Sequence, residues 1–126
     1  MDTTFTSDSS SPRGAVMNID RALVRMGGNR SILHDLANFF LEDNDELLAS
    51  LNGALAAEDA KLSARNAHSL CGLSANFGAD SCASVAKSIE DACVRNDFVQ
   101  ARRLLVGLQN EVARLVDALK REVLNK

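Results

Sequence analysis

The C-terminal third of the chain carries the pattern that most restricts its fold. Phe98, Ala101, Leu105, Leu108, Val112, Leu115 and Leu119 recur at alternating intervals of three and four residues. That spacing keeps one apolar seam on one face of an α-helix and fits the seam of a left-handed helical bundle. Strands alternate their side chains every second residue, and no such pattern competes anywhere in the chain.

A second stripe lies upstream. Cys82, Val85, Ala86, Ile89, Ala92 and Cys93 fall at i, i+3, i+4, i+7, i+10 and i+11, which predicts a helix over about 81–95, with Asn96-Asp97 as the turn that follows. Ile32, Leu33, Leu36, Phe39, Phe40, Leu47, Leu48, Leu51 and Leu55 predict a long helix that starts after Asn29, its cap. The polar run Glu42-Asp43-Asn44-Asp45-Glu46 interrupts that stripe and predicts a bend or a locally exposed segment. Asp59 caps a further helix running to about Phe77, and Gly78 suits its C-terminal stop. A short helix over about 20–26, capped by Asn18 and ended by Gly27-Gly28, precedes them all.

Tight connections make neighbouring helices antiparallel. The expected fold is all-α: an antiparallel up-down four-helix bundle with a short additional N-terminal helix. The 126 residues, 46% hydrophobic and 4% aromatic with one proline, suffice for one aliphatic core and leave no room for a second domain. Residues 1–16, polar and rich in Ser and Thr, read as a disordered tail, and 17–126 as the bundle domain.

Charge narrows the partners. A formal net charge of −3, from 14 basic and 17 acidic residues, gives neither a nucleic-acid footprint nor a membrane-surface patch. No apolar run approaches the roughly 18 residues of a membrane span, and Met1–Ser11 lacks the apolar stretch of a secretory signal. A cytoplasmic monomer is expected. Three cysteines, an odd number without a CxxC, argue against a disulfide framework; Cys82 and Cys93 read as small core residues.

Chemistry concentrates around His68. Ala60, Ser63, Ala67, Leu70, Ser74 and Phe77 form the core side of their helix, and His68 lies about 100° round from Ala67. Its axial neighbours are Lys61, Ala64, Arg65, Cys71, Gly72 and Ala75. Ala64, Gly72 and Ala75 are small and leave the imidazole's surroundings open. Lys61 and Arg65 bring positive charge from the N-terminal side. A neutral ring nitrogen is a nucleophile, and an open imidazole beside cations suits transient attachment of a phosphoryl group and an acidic docking partner. A mid-helix glycine costs about 1 kcal/mol relative to alanine, and a close approach by another molecule would account for Gly72. His34, the other histidine, has no comparable surroundings and reads as structural or incidental.

The run Ala67-His68-Ser69-Leu70-Cys71-Gly72-Leu73-Ser74-Ala75-Asn76-Phe77-Gly78-Ala79 resembles the signature of histidine-containing phosphotransfer (HPt) domains. Asn18-Ile19-Asp20 with Leu23 and Met26-Gly27-Gly28 is similar to the family's entry helix. Phe40-Leu41-Glu42-Asp43 with Glu46-Leu47-Leu48, and Ile89-Glu90 with Arg95-Asn96-Asp97, are similar to two of its bundle helices. The resemblance covers about 110 residues, the size of one domain. It implies a phosphorelay intermediate in which His68 takes a phosphoryl group from one receiver-domain aspartate and passes it to another. Gly72 would give the receiver clearance, while Leu70 and Phe77 would be core.

The family usually has a lysine three residues after the histidine, where it helps to hold the phosphoryl group. Here that residue is Cys71, and Arg65 or Lys61 would have to compensate. The resemblance further implies receiver domains, or a hybrid sensor histidine kinase, as partners, with Mg²⁺ held by the receiver and no cofactor of the chain's own. No nucleotide-binding loop occurs, so neither ATP binding nor autophosphorylation is expected. The docking surface should be the His68 helix plus an adjacent helix, edged by the entry helix; Asn76 is assigned no contact. The alternative is an HPt-like module that has lost transfer and binds or sequesters a receiver. A metal site on His68 and Cys71 lacks two further ligands.

Overall fold

Four of the five helix starts are set by one side chain each. The computed structural model describes residues 16–124; residues 1–15, most of the expected tail, and residues 125–126 lie outside the described residues. The helices are α1 (Ile19–Arg25), α2 (Arg30–Ala56), α3 (Ala60–Asn76), α4 (Asp80–Val94) and α5 (Phe98–Leu119), and α5 runs on into a π-helical turn, Lys120–Leu124. No strand occurs among the described residues. Asn18, Asn29, Asp59 and Asp97 each accept a hydrogen bond from a backbone N–H of the helix they precede, which satisfies donors that have no partner within the helix. α4 differs: Ala79 precedes it, fully buried and without a side-chain cap. Asp80 in its first turn supplies the negative charge that the helix dipole favours there and pairs with Arg21 of α1.

The three connections between long helices close alike. Glu58, Gly78 and Asn96 adopt positive φ. The next residue, Asp59, Ala79 or Asp97, donates its N–H to the carbonyl five residues back, on Ala54, Ser74 or Ala92. This is a Schellman closure. The same residue then precedes the following helix, so only three residues separate each pair of long helices.

α3 packs against α2 and α4, and α5 packs against α4 and α2, so the four long helices surround one core. Phe40, Leu51 and Leu55 of α2, Leu70 of α3, Ile89 of α4, and Leu108, Leu115 and Leu119 of α5 are fully buried in it. Phe40 and Phe77 meet edge to face with ring centroids 5.8 Å apart, a geometry aromatic rings prefer. Ile32 and Phe39 are exceptions to the expected α2 stripe and are exposed.

The polar run at 42–46 does not break α2, which is continuous. Glu42, Asp45 and Glu46 are exposed, as the local-exposure reading expected, but Asn44 is buried. Its Nδ2 donates to the carbonyls of Phe40 and Leu41, both at 3.0 Å. An inward polar side chain is thus satisfied within its own helix, and no bend is needed to expose it.

Gly78 has a second role beyond the turn. With φ at +64°, a Cβ there would lie 2.8 Å from the Asn18 carbonyl oxygen and 2.9 Å from Asn18 Cβ. The Asn18 N–H donates to the Phe77 carbonyl at 3.0 Å. The lead into α1 is therefore laid directly on the end of α3.

Candidate functional site

α3 and α4 run antiparallel, and two side-chain pairs fix their register. Ser74 Oγ donates to Cys82 Sγ at 3.1 Å, and His68 Nδ1 lies 3.2 Å from Glu90 Oε1. Ala67 is fully buried, so the next residue round the helix emerges at the core's rim, where His68 keeps 75% of its side chain exposed. Glu90 follows the fully buried Ile89 on α4 and is only 19% exposed. The histidine is thus presented to solvent while its inner nitrogen is held by a partly buried carboxylate.

That contact decides the chemistry of the ring. A carboxylate oxygen accepts, so Nδ1 carries the proton and donates it to Glu90. The neutral ring then has its lone pair on Nε2, the nitrogen away from the carboxylate. A helix-borne imidazole with Nε2 available and Nδ1–H anchored is an oriented nucleophile.

Glu90 also meets a cation. Lys87 Nζ lies 3.9 Å from the same Oε1 and 3.2 Å from Asp91 Oδ1. The Asp91 hydrogen bond and charge, followed by the Glu90 charge, push Lys87 above its usual pKa.

The other residues expected at the site are distributed around His68. Lys61, Arg65 and Gly72 are exposed; Ala64, Cys71 and Ala75 are half-buried. Lys61 and Arg65 form no ion pair among the described residues. Cys71 is half-buried, whereas Cys82 and Cys93 are in the core and free. Burial pushes the Cys82 thiol up to about 11, opposed by its Ser74 hydrogen bond, and burial raises Cys93 as well. His34 is exposed on α2, with Nδ1 3.2 Å from Asn38 Nδ2 of its own helix. Among the described residues no group of three or more His, Cys, Asp or Glu is arranged to hold a metal ion.

Beside His68, on the flank away from α4, an open groove of about 570 Å³ runs between α2 and α3. Arg25 of α1, Phe39, Asp43 and Leu47 of α2, and Ser69, Gly72, Leu73 and Asn76 of α3 line it. Phe39 is 49% exposed. A Cβ on Gly72 would meet nothing within 4 Å, so packing inside the chain gives no reason for the glycine.

Glu90 and Lys87 were not singled out from the sequence as site residues. A signal was nonetheless present. The α3–α4 reversal at Gly78 pairs residues at similar distances on either side, which brings the segment around 87–91 opposite His68. Polar residues flanking the buried Ile89 on that segment are the ones able to reach the ring.

The domain is all-helical among the described residues and presents the His68 imidazole, anchored by Glu90, beside the α2–α3 groove. The chain belongs to the Hpt domain family, whose profile matches residues 35–122. The crystal structure of histidine-containing phosphotransfer protein B from Pseudomonas aeruginosa PAO1 is similar over 93% of this chain and 99% of that one. The match has a TM-score of 0.80 and 30% sequence identity. No curated protein sequence matches the chain.

Proposed function

We propose that the chain is the histidine phosphocarrier of a multistep two-component phosphorelay and moves a phosphoryl group between receiver-domain aspartates through His68. The observation that carries this reading is the exposed His68 ring whose Nδ1 is engaged by Glu90. The Nε2 lone pair attacks the phosphorus of a receiver's aspartyl phosphate. The P–O bond to the aspartate breaks, its electron pair returns to the carboxylate, and Nδ1 keeps its proton. The ring gains positive charge as the N–P bond forms, and the Glu90 carboxylate stabilises that charge. Return to a second receiver reverses the sequence.

Mg²⁺ and the acidic cluster that polarises the phosphoryl group belong to the receiver. The chain supplies position and needs no ATP or cofactor of its own. The receiver docks over His68 and the adjoining α2–α3 groove, edged by α1. Gly72 leaves room for its backbone, and Ala64 and Ala75 keep the approach shallow. Lys61 and Arg65 attract an acidic rim. The ring of helix contacts and the short reversals support an antiparallel up-down four-helix bundle as the scaffold. A cytoplasmic monomer fits a transient, partly polar docking surface.

Phosphotransfer profiling against a panel of phosphorylated receivers tests the proposal. Acid-labile label should move to the chain from at least one receiver and should be lost in His68→Gln. Cys71, in place of the family's lysine, supports a second reading: a module that binds a receiver without transfer. A receiver complex that survives His68→Gln, with no phosphohistidine in the wild type, would favour it.

A further inference from the structure

We infer that Lys87, on α4, is the cation that holds the phosphoryl group on His68, doing from the neighbouring helix what a lysine at position 71 would do from α3. This assignment rests on the carrier reading above and deepens it.

The register places the charge. From His68, three residues along α3 reach Cys71. From its partner Glu90, three residues back along antiparallel α4 reach Lys87. The two positions therefore face one another across the helix pair. Ion-pair geometry agrees: Lys87 Nζ and His68 Nδ1 approach the same oxygen, Glu90 Oε1, at 3.9 and 3.2 Å. No other lysine or arginine among the described residues shares a partner with the ring. Lys61 and Arg65, the cations of α3 itself, make no contact with Glu90.

Lys87 is also free to change partners. Its side chain is 58% exposed and its closer partner, Asp91, is 50% exposed. An ion pair so exposed contributes little, so releasing it costs little. A phosphoryl group on Nε2 carries up to two negative charges and three acceptor oxygens, and competes strongly for a flexible ammonium. Its arrival would draw Lys87 from Asp91 across Glu90 to the phosphoryl oxygens. The half-buried Cys71 cannot supply such a charge. A lysine ammonium stays protonated at neutral pH with or without the Asp91 contact.

Phosphoramidate transfers its phosphoryl group to imidazoles without a receiver, so it tests this contact apart from docking. The full chain and variants would be treated with it, and phosphorylated protein followed with time by phosphate-affinity electrophoresis and ³¹P NMR. Folding would be checked by circular dichroism. Lys87→Ala should lower the level of phosphohistidine about five- to tenfold. Lys87→Arg should retain most of it, and Lys87→Ala with Cys71→Lys should restore it. Arg103→Ala, which removes an exposed cation on α5, should stay near wild type. Wild-type levels in Lys87→Ala, with His68→Gln blank, would overturn the assignment and leave the carrier reading intact. Equal losses in Arg103→Ala and Lys87→Ala would replace a specific contact by a diffuse field and also overturn it. A wild-type chain that takes no phosphoryl group at His68 would remove the carrier reading and this one together.

Discussion

At position 72 α3 gives up helix stability without any compensating contact inside the chain. A Cβ would point into open space, so Gly72→Ala is expected to raise the unfolding free energy by about 0.5–1 kcal/mol. In the proposed docking geometry the added methyl stands where the partner's backbone comes in, so transfer from a receiver should slow in the same variant. Urea denaturation followed by circular dichroism gives the first quantity and receiver-dependent labelling the second. Unchanged transfer would return Gly72 to an incidental role. The buried thiol of Cys82 offers a residue-scale test of the core. Its pKa rises from an ordinary 9.0 to about 11 in the folded chain. Between those values the unfolded chain has lost the proton that the folded chain keeps. The stabilisation is therefore complete below pH 9 and disappears as pH rises to about 11, a loss of about 2–3 kcal/mol. Comparing wild type with Cys82→Ala across that range isolates it, since the alanine variant lacks this slope.

At the scale of elements, the reversals between helices fix how the chain packs. Gly78 combines a left-handed φ with a contact to Asn18 that leaves no space for a Cβ. Gly78→Ala should destabilise the chain by about 2 kcal/mol or more, and should loosen α1 first, which amide exchange of Ala22 and Leu23 would report. Gly27→Ala is the control, with the same sign of φ but nothing within 4 Å. Its cost should be smaller. Most of the element structure was legible in the sequence. Asn18, Asn29, Asp59 and Asp97 announce helix starts through their own hydrogen-bonding chemistry, and the stripes of α4 and α5 announce their buried faces. What was not legible depends on neighbours. Asn44 faces inward because its own helix offers two carbonyls, which periodicity does not reveal. Ala79 gives α4 no side-chain cap, and its full burial comes from neighbouring elements that local propensity does not reveal. The π-helical turn at 120–124 leaves no periodic mark in so short a segment. His68 could be found from its flanks on α3, but Glu90 and Lys87 reach it from another helix, and only the α3–α4 register brings them there.

For the whole molecule, one face joins the parts. His68, Gly72 and the α2–α3 groove lie side by side, so a partner seated on the groove meets the imidazole. Phe39 is the large apolar group exposed in that groove. Phe39→Asp should leave folding and phosphoramidate labelling near wild type while weakening receiver transfer about tenfold or more, the usual scale of an apolar anchor lost from an interface. Titration calorimetry or labelling at graded receiver concentrations would show the effect as weaker binding. Such a separation between docking and chemistry is what a carrier without its own catalytic centre requires. In the proposed carrier, Glu90 fixes the proton on Nδ1 and so makes Nε2 of His68 the nucleophile. Nitrogen-15 NMR of the phosphorylated chain, labelled at histidine, distinguishes the two ring nitrogens. The prediction is a single phosphohistidine at position 68 with phosphorus coupled to Nε2 and the proton retained on Nδ1. Phosphorus on Nδ1, or on His34, would contradict it.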